Sequence, residues 1–191
     1  MKSLAVLTLL LFLSPLYSSA LVVEQDKPGN VIVAEAATDR CQAGTHQVAF
    51  AMPEGWTSDK TSAAQIGACA VLVPRGSTMQ TTQKVILILF QQRDPGNRDF
   101  ADLKAYAKAN LNAMKSRFKD VSIDERQLAG RDTKRTPYLA YEVYGKTGPS
   151  PSLYMFVDAS DGFYTVSATV LTRDELTSLG MSKFFSLLAV L

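Results

Sequence analysis

From Tyr138 to Val170, three strand-length runs follow one another through connections too short to hold a crossover helix. Tyr138–Tyr144, Leu153–Val157 and Phe163–Val170 are rich in aromatic and β-branched residues, which suit a pleated surface. Parallel neighbours need a crossover of about a dozen residues or more. Here Gly145-Lys146-Thr147-Gly148-Pro149-Ser150-Pro151 reads as a loop, and Asp161-Gly162 between β-rich runs is a strong hairpin signal. The chain is therefore bound to an antiparallel sheet over this stretch.

Upstream, Gln47–Met52 reads as a strand that stops at Pro53-Glu54-Gly55-Trp56, because proline cannot donate to a ladder and glycine permits the turn. Trp56 restarts the chain as a large apolar anchor. Ala70–Val73 is a short strand closed by Pro74-Arg75-Gly76. Val85–Phe90 is apolar without alternation, as expected of a strand covered on both faces, and is the expected centre of the sheet.

After Asp94-Pro95-Gly96-Asn97 the period becomes helical: Phe100, Leu103, Ala107, Leu111, Met114 and Phe118 recur at spacings of three and four. Asp99 is the expected N-cap and Asp102 an acidic group of the first turn. Lys104, Lys108, Lys115 and Lys119 fall on the opposite face. Ile123–Leu128 and Arg131–Arg135 flank Ala129-Gly130 and read as a hairpin with a polar outer face. Thr172-Arg173-Asp174-Glu175 is a capping box that opens a second helix, expected to run to Leu191. Strands, helix, hairpin-linked strands and helix make an α+β chain: one largely antiparallel sheet flanked by two helices.

The start of the chain sets the compartment. Lys2, the apolar run Leu4–Leu13 and the small residues Ser18-Ser19-Ala20 have the layout of a secretory signal peptide, too short to span a bilayer as a helix. Residues 1–20 are expected to be removed, 21–40 to form a lead segment and 41–191 a single domain in the periplasm or outside the cell. No later apolar run is long enough to span a bilayer. In that setting Cys41 and Cys69, the only cysteines, are expected to form a disulfide. A metal site built from Cys41, His46 and Cys69 would lack an obvious fourth ligand, and Thr38-Asp39-Arg40 before Cys41 do not suit lipid attachment.

The order of elements, with a strand entering Pro53-Glu54-Gly55-Trp56, resembles the PsbP-like superfamily. The long Asp99–Phe118 helix, the Leu128-Ala129-Gly130 turn, the Tyr138–Tyr144 strand and Phe184-Phe185-Ser186-Leu187-Leu188 support the resemblance, which covers about Cys41 to Leu191. That fold serves the extrinsic protein of photosystem II, a Ran-binding nuclear import factor and bacterial periplasmic proteins. The resemblance implies an α/β/α sandwich and action by docking on other macromolecules rather than by catalysis. No functional residue transfers with it.

The mature chain carries 19 basic and 18 acidic side chains once Lys2 is removed, so it lacks the positive field of a nucleic-acid binder. His46 is the single histidine, and any Ser-His-Asp or Cys-His device would have to use it; no Gly-x-Ser-x-Gly elbow exists. Asp158 and Asp161 are the best local carboxylate pair, but both fall where a hairpin turn requires polar residues. The stretch also lacks the alternating oxygen ligands of a calcium loop. No catalytic residue, metal or cofactor is expected.

The candidate binding surface is basic: Lys104, Lys108, Lys115 and Lys119 on the helix, and Arg131, Lys134 and Arg135 on the hairpin. The tyrosines Tyr138, Tyr141, Tyr144, Tyr154 and Tyr164 divide between docking and packing by strand alternation. The expected function is that of an exported, non-enzymatic protein that docks on a protein partner, whether an envelope complex, a host protein or a toxin it neutralises, with membrane-surface contact as a further option. The alternative is a small secreted hydrolase using carboxylates brought together by the fold.

Overall fold

A computed structural model describes residues 39–128, 137–145, 150–178, 184–185 and 187–191. The expected leader and nearly all of the lead segment lie outside these residues. Two antiparallel sheets organise the rest. The smaller has the order β1 (Asp39–Ala43), β2 (His46–Phe50), β10 (Ala189–Val190). The larger runs β3 (Trp56–Ser58), β4 (Ala70–Pro74), β5 (Val85–Gln92), β9 (Gly162–Thr169), β8 (Ser152–Asp158), β7 (Tyr138–Gly145), β6 (Val121–Arg126). Every pair of neighbours is antiparallel, as the short connections require. The fold class is α+β.

Three α-helices are described rather than two. α1 (Lys60–Ile66) joins β3 to β4, α2 (Leu103–Arg117) joins β5 to β6 behind a 3-10 turn at Arg98–Phe100, and α3 (Arg173–Ser178) follows β9. The turn into β3 is closed by Trp56 N–H donating to Pro53 O at 3.1 Å, with Gly55 at φ 77°, where other residues are strained. Asp59 caps α1 by accepting from Ser62 N.

Strand alternation gives the large sheet two different faces. Tyr164, Val166 and Ala168 of β9, Met155 and Val157 of β8, and Ile86 and Ile88 of β5 point into the main core with Trp56, Phe184, Phe185 and Leu188. The small sheet, α3 and the side chains of Phe184, Phe185 and Leu188 close that face. On the other, Leu103, Tyr106, Ala107 and Leu111 of α2 cover Val143, Phe156 and Phe163, and α1 lies on Val71 and Val73. A 15-residue helix is marginal alone. Burying a side chain of Leu or Phe size contributes about 1.5–3 kcal/mol, so α2 owes its stability to this seam.

Three local expectations are corrected. β9, not β5, is the middle strand: every residue from Gly162 to Ala168 is buried, whereas Leu87 and Leu89 of β5 are half-buried. Asp102 rather than Asp99 caps α2, accepting from Ala105 N at 2.8 Å. β6 pairs with β7, Arg126 opposite Ala140; the Arg131–Arg135 half of the expected hairpin lies outside the described residues. The second helix does not reach Leu191. Ala189 and Val190 pair with Ala49 and Val48, and Leu191 N–H donates to Gln47 O at 2.8 Å. The unpaired backbone edge of β2 outweighs helical propensity there.

The expected disulfide is formed. Cys41 of β1 and Cys69, just ahead of β4, are bonded with Cα atoms 5.4 Å apart, which ties the small sheet to the large one.

Candidate functional site

Three of the predicted surface lysines come together. Lys104 and Lys108 are one turn apart on α2 and Lys115 lies two turns further along the same stripe. The helix is oriented by its apolar seam: Tyr106 stacks on Phe163 with ring centroids 4.8 Å apart, and its hydroxyl shares a 2.8 Å hydrogen bond with Thr165 Oγ1. With that face fixed downward, the lysines border a groove of about 540 Å³ between α2 and the β6–β7 edge. Leu111 and Leu139 form its floor, Asn112 lies beside them, and Glu125 and Tyr141 stand on the sheet side. None of the three lysines is ion-paired or hydrogen-bonded to another described residue.

Tyr141 is half-buried, and burial, with Glu125 opposite it on β6, pushes its hydroxyl above the usual tyrosine range. It therefore stays a neutral donor and acceptor at physiological pH. Lys119 follows the C-cap Phe118 and does not line the groove. Arg131, Lys134 and Arg135 lie outside the described residues. The sheet-side members Glu125 and Leu139 were not identified from sequence. Their signal is alternation: Val121, Ile123 and Glu125 share the α2-facing side of β6, so Glu125 is a charge where the pattern calls for an apolar residue.

The tyrosines divide by face. Tyr164 is fully buried; burial and nearby Asp161 push its hydroxyl up to about 12, and it donates to Ala43 O at 2.7 Å. Tyr138 lies against the main core, whereas Tyr141 and Tyr154 lie on the α2 side.

His46 meets Ser160 and Asp161 at the β8–β9 hairpin. Its Nδ1 donates to Leu191 O at 3.2 Å, while Nε2 is 2.9 Å from Ser160 Oγ and 3.2 Å from Asp161 Oδ1. A nucleophile relay needs the serine on one ring nitrogen and the carboxylate on the other. Here both converge on Nε2 and a main-chain carbonyl holds Nδ1, so the group ties the hairpin to β2 and the residue after β10. Asp161 Oδ2 accepts from Thr45 N at 2.9 Å and Thr45 Oγ1 at 2.7 Å. Burial opposes its charge, but the Thr45 bonds and His46 outweigh that and hold the carboxyl below the usual range. Asp158 is paired with Arg93, whose guanidinium sits 4.5 Å above the Phe163 ring. Each carboxylate of this pair is engaged by the chain itself, as turn-building groups are.

A third polar cluster lies on the other side of β7. Glu142 is buried and accepts from Arg126 Nε at 2.8 Å, from Arg126 Nη2 and from Arg173 Nε. Burial works against its charge, yet the hydrogen bonds from Arg173 and Arg126 together hold the carboxyl below its ordinary range. Arg173 also lies 3.9 Å over the Tyr144 ring, and Tyr144 donates to Asp124 Oδ2 at 3.0 Å. The cluster fastens the start of α3 to β6 and β7. Beside it Glu175 completes the predicted cap by accepting from Thr172 N at 3.3 Å, and pairs with Lys84 at 2.6 Å.

No group of three or more His, Cys, Asp or Glu suited to a metal occurs among the described residues, and no described helix is long and apolar enough to cross a membrane. No protein-family model matches the sequence, and no curated protein matches it. Among solved structures, the chain is similar to cyanobacterial PsbP (CyanoP) from Synechocystis sp. PCC 6803 in solution, with a TM-score of 0.46 and 12% sequence identity over 87% of this chain and 99% of that one. No residue's role is taken from that likeness.

Proposed function

We propose that the mature chain is an exported, non-enzymatic binding protein that docks on the acidic surface of a protein partner through the lysine-bordered groove between α2 and β7. The supporting observation is the groove itself: Lys104, Lys108 and Lys115 frame it without an ion-pair partner among the described residues, over an apolar floor of Leu111 and Leu139. Charge that the fold does not use internally is available to a partner, where it steers encounter and fixes register. The Cys41–Cys69 bond supports export, since such bonds persist in oxidising compartments. An envelope complex, a host protein and a neutralised toxin are all partners of this kind.

The reading is tested with a photo-crosslinking residue at Asn112, in the groove, and a control at exposed Glu54. Mature protein incubated with the producing organism's envelope and secreted fractions is expected to give a discrete adduct from Asn112 only. Lys108→Glu with Lys115→Glu is expected to remove it. Equal adducts from both positions, or adducts indifferent to charge reversal, would place the contact elsewhere.

A further inference from the structure

We infer that the partner presents to this groove an extended acidic segment of about five residues, carboxylates on one side and apolar side chains on the other; this rests on the docking reading above.

Dimensions come first. Lys104 to Lys115 spans about 16 Å of helix axis at 1.5 Å per residue, the length of about five residues of extended chain at 3.3 Å each. Lys104 and Lys108 stand about 6 Å apart along the axis, close to the spacing of alternate side chains on a strand. An extended segment lying along α2 thus turns one row of side chains to the lysines and the other to β7. Carboxylates suit the first row. Apolar groups suit the second, where Leu139 and the ring of Tyr141 are half-buried.

The character of the charges points the same way. All three lysines are exposed, and an exposed ammonium is a hydrated point charge that holds a single anion weakly. Useful affinity requires several carboxylates at once together with burial of the floor. A groove of about 540 Å³ falls within the roughly 300–1,000 Å³ of ligand sites, well beyond what one carboxylate fills. Leu111 is 9% exposed, recessed below the lysines, so a flat bilayer surface would meet the ammonium groups and miss the floor. Glu125 on the sheet side repels a carboxylate there, which turns the acidic row toward the lysines.

The test is fluorescence anisotropy with the mature protein and three fluorescein-labelled peptides, Glu-Leu-Glu-Leu-Glu, Glu-Ser-Glu-Ser-Glu and Lys-Leu-Lys-Leu-Lys, alongside phosphatidylglycerol vesicles in a flotation assay. The leucine-containing acidic peptide is expected to bind about tenfold tighter than the serine one, the cationic peptide not at all. Lys108→Ala with Lys115→Ala is expected to weaken it about tenfold or more, and Glu125→Gln to tighten it severalfold. Rising salt is expected to weaken it progressively. Equal binding of the two acidic peptides would overturn the apolar row, and vesicle binding without peptide binding would make the occupant a lipid surface. Absence of peptide binding while the Asn112 crosslink persists would overturn this inference and leave the docking reading standing. Loss of that crosslink as well would remove both.

Discussion

Tyr141 and Glu142 are neighbours on β7 and face opposite sides of the same sheet. On the Glu142 side, charge is enclosed: the carboxylate is 8% exposed and meets guanidinium groups from Arg126 and Arg173. On the Tyr141 side, three lysines stand over an open groove and pair with no described residue. Glu142 links Arg173 at the start of α3 to Arg126 on β6, and the two guanidinium groups favour its charged form. The lysines contribute nothing comparable to the seam of α2, which is apolar. On the docking reading, stability and recognition lie on separate faces of one strand, and each is expected to be perturbed without the other.

The largest effect is expected at the bond between the two sheets. Cys41→Ser with Cys69→Ser opens a 28-residue loop and is expected to cost about 3.5 kcal/mol on the chain-entropy account, read as a fall in the urea midpoint. A fall below about 1 kcal/mol would mean that the small sheet is held by its packing alone. Next, Glu142→Gln leaves the two arginines facing a neutral amide and is expected to cost about 2 kcal/mol, with peptide binding in the groove unchanged. If binding fell in parallel, the two faces would be coupled.

The same residue has a pH signature. Its carboxyl is held below its ordinary value of 4.5. The stabilisation is therefore complete above that value and is lost as pH falls through the lower, folded value. Denaturation midpoints measured from pH 7 down to pH 3 are expected to drop below about pH 4.5, and to drop less in Glu142→Gln. Asp161, also held low, supplies part of the drop that remains. The smallest effect on stability is expected for Lys108→Ala with Lys115→Ala, within about 0.5 kcal/mol of the parent, although this pair has the largest expected effect on binding. A destabilisation of several times that size would show the lysines to be structural.

Much of the sheet was legible because short connections leave few topologies. The hairpin between β8 and β9 formed as the Asp161-Gly162 signal predicts, but Gly162 has a further reason that no local pattern reveals. A Cβ there would come within 2.3 Å of Gln91 O on the neighbouring strand β5. The centrality of β9 was hidden because Thr165 and Ser167 look like surface residues, and Thr165 is admitted to the interior only by the hydroxyl of Tyr106, 59 positions away. β1 was missed because Asp39-Arg40-Cys41-Gln42-Ala43 carries little strand propensity and depends on β2 and the disulfide. Of the groove, the helix side was legible as a charge stripe. The sheet side depends on which strands the topology brings beneath α2, and one-dimensional spacing does not encode that.

Strand β10 sets an order of events in folding. Its rungs join residue 189 to residue 49 and residue 190 to residue 48, so among the described residues the small sheet has two strands until this distant segment docks. Local hairpins such as β8–β9 close early, and contacts between segments so remote in sequence close late. Until then the outer edge of β2 offers Val48 and Ala49 as an unpaired template, and a chaperone that shields this edge would guard the step most exposed to mispairing.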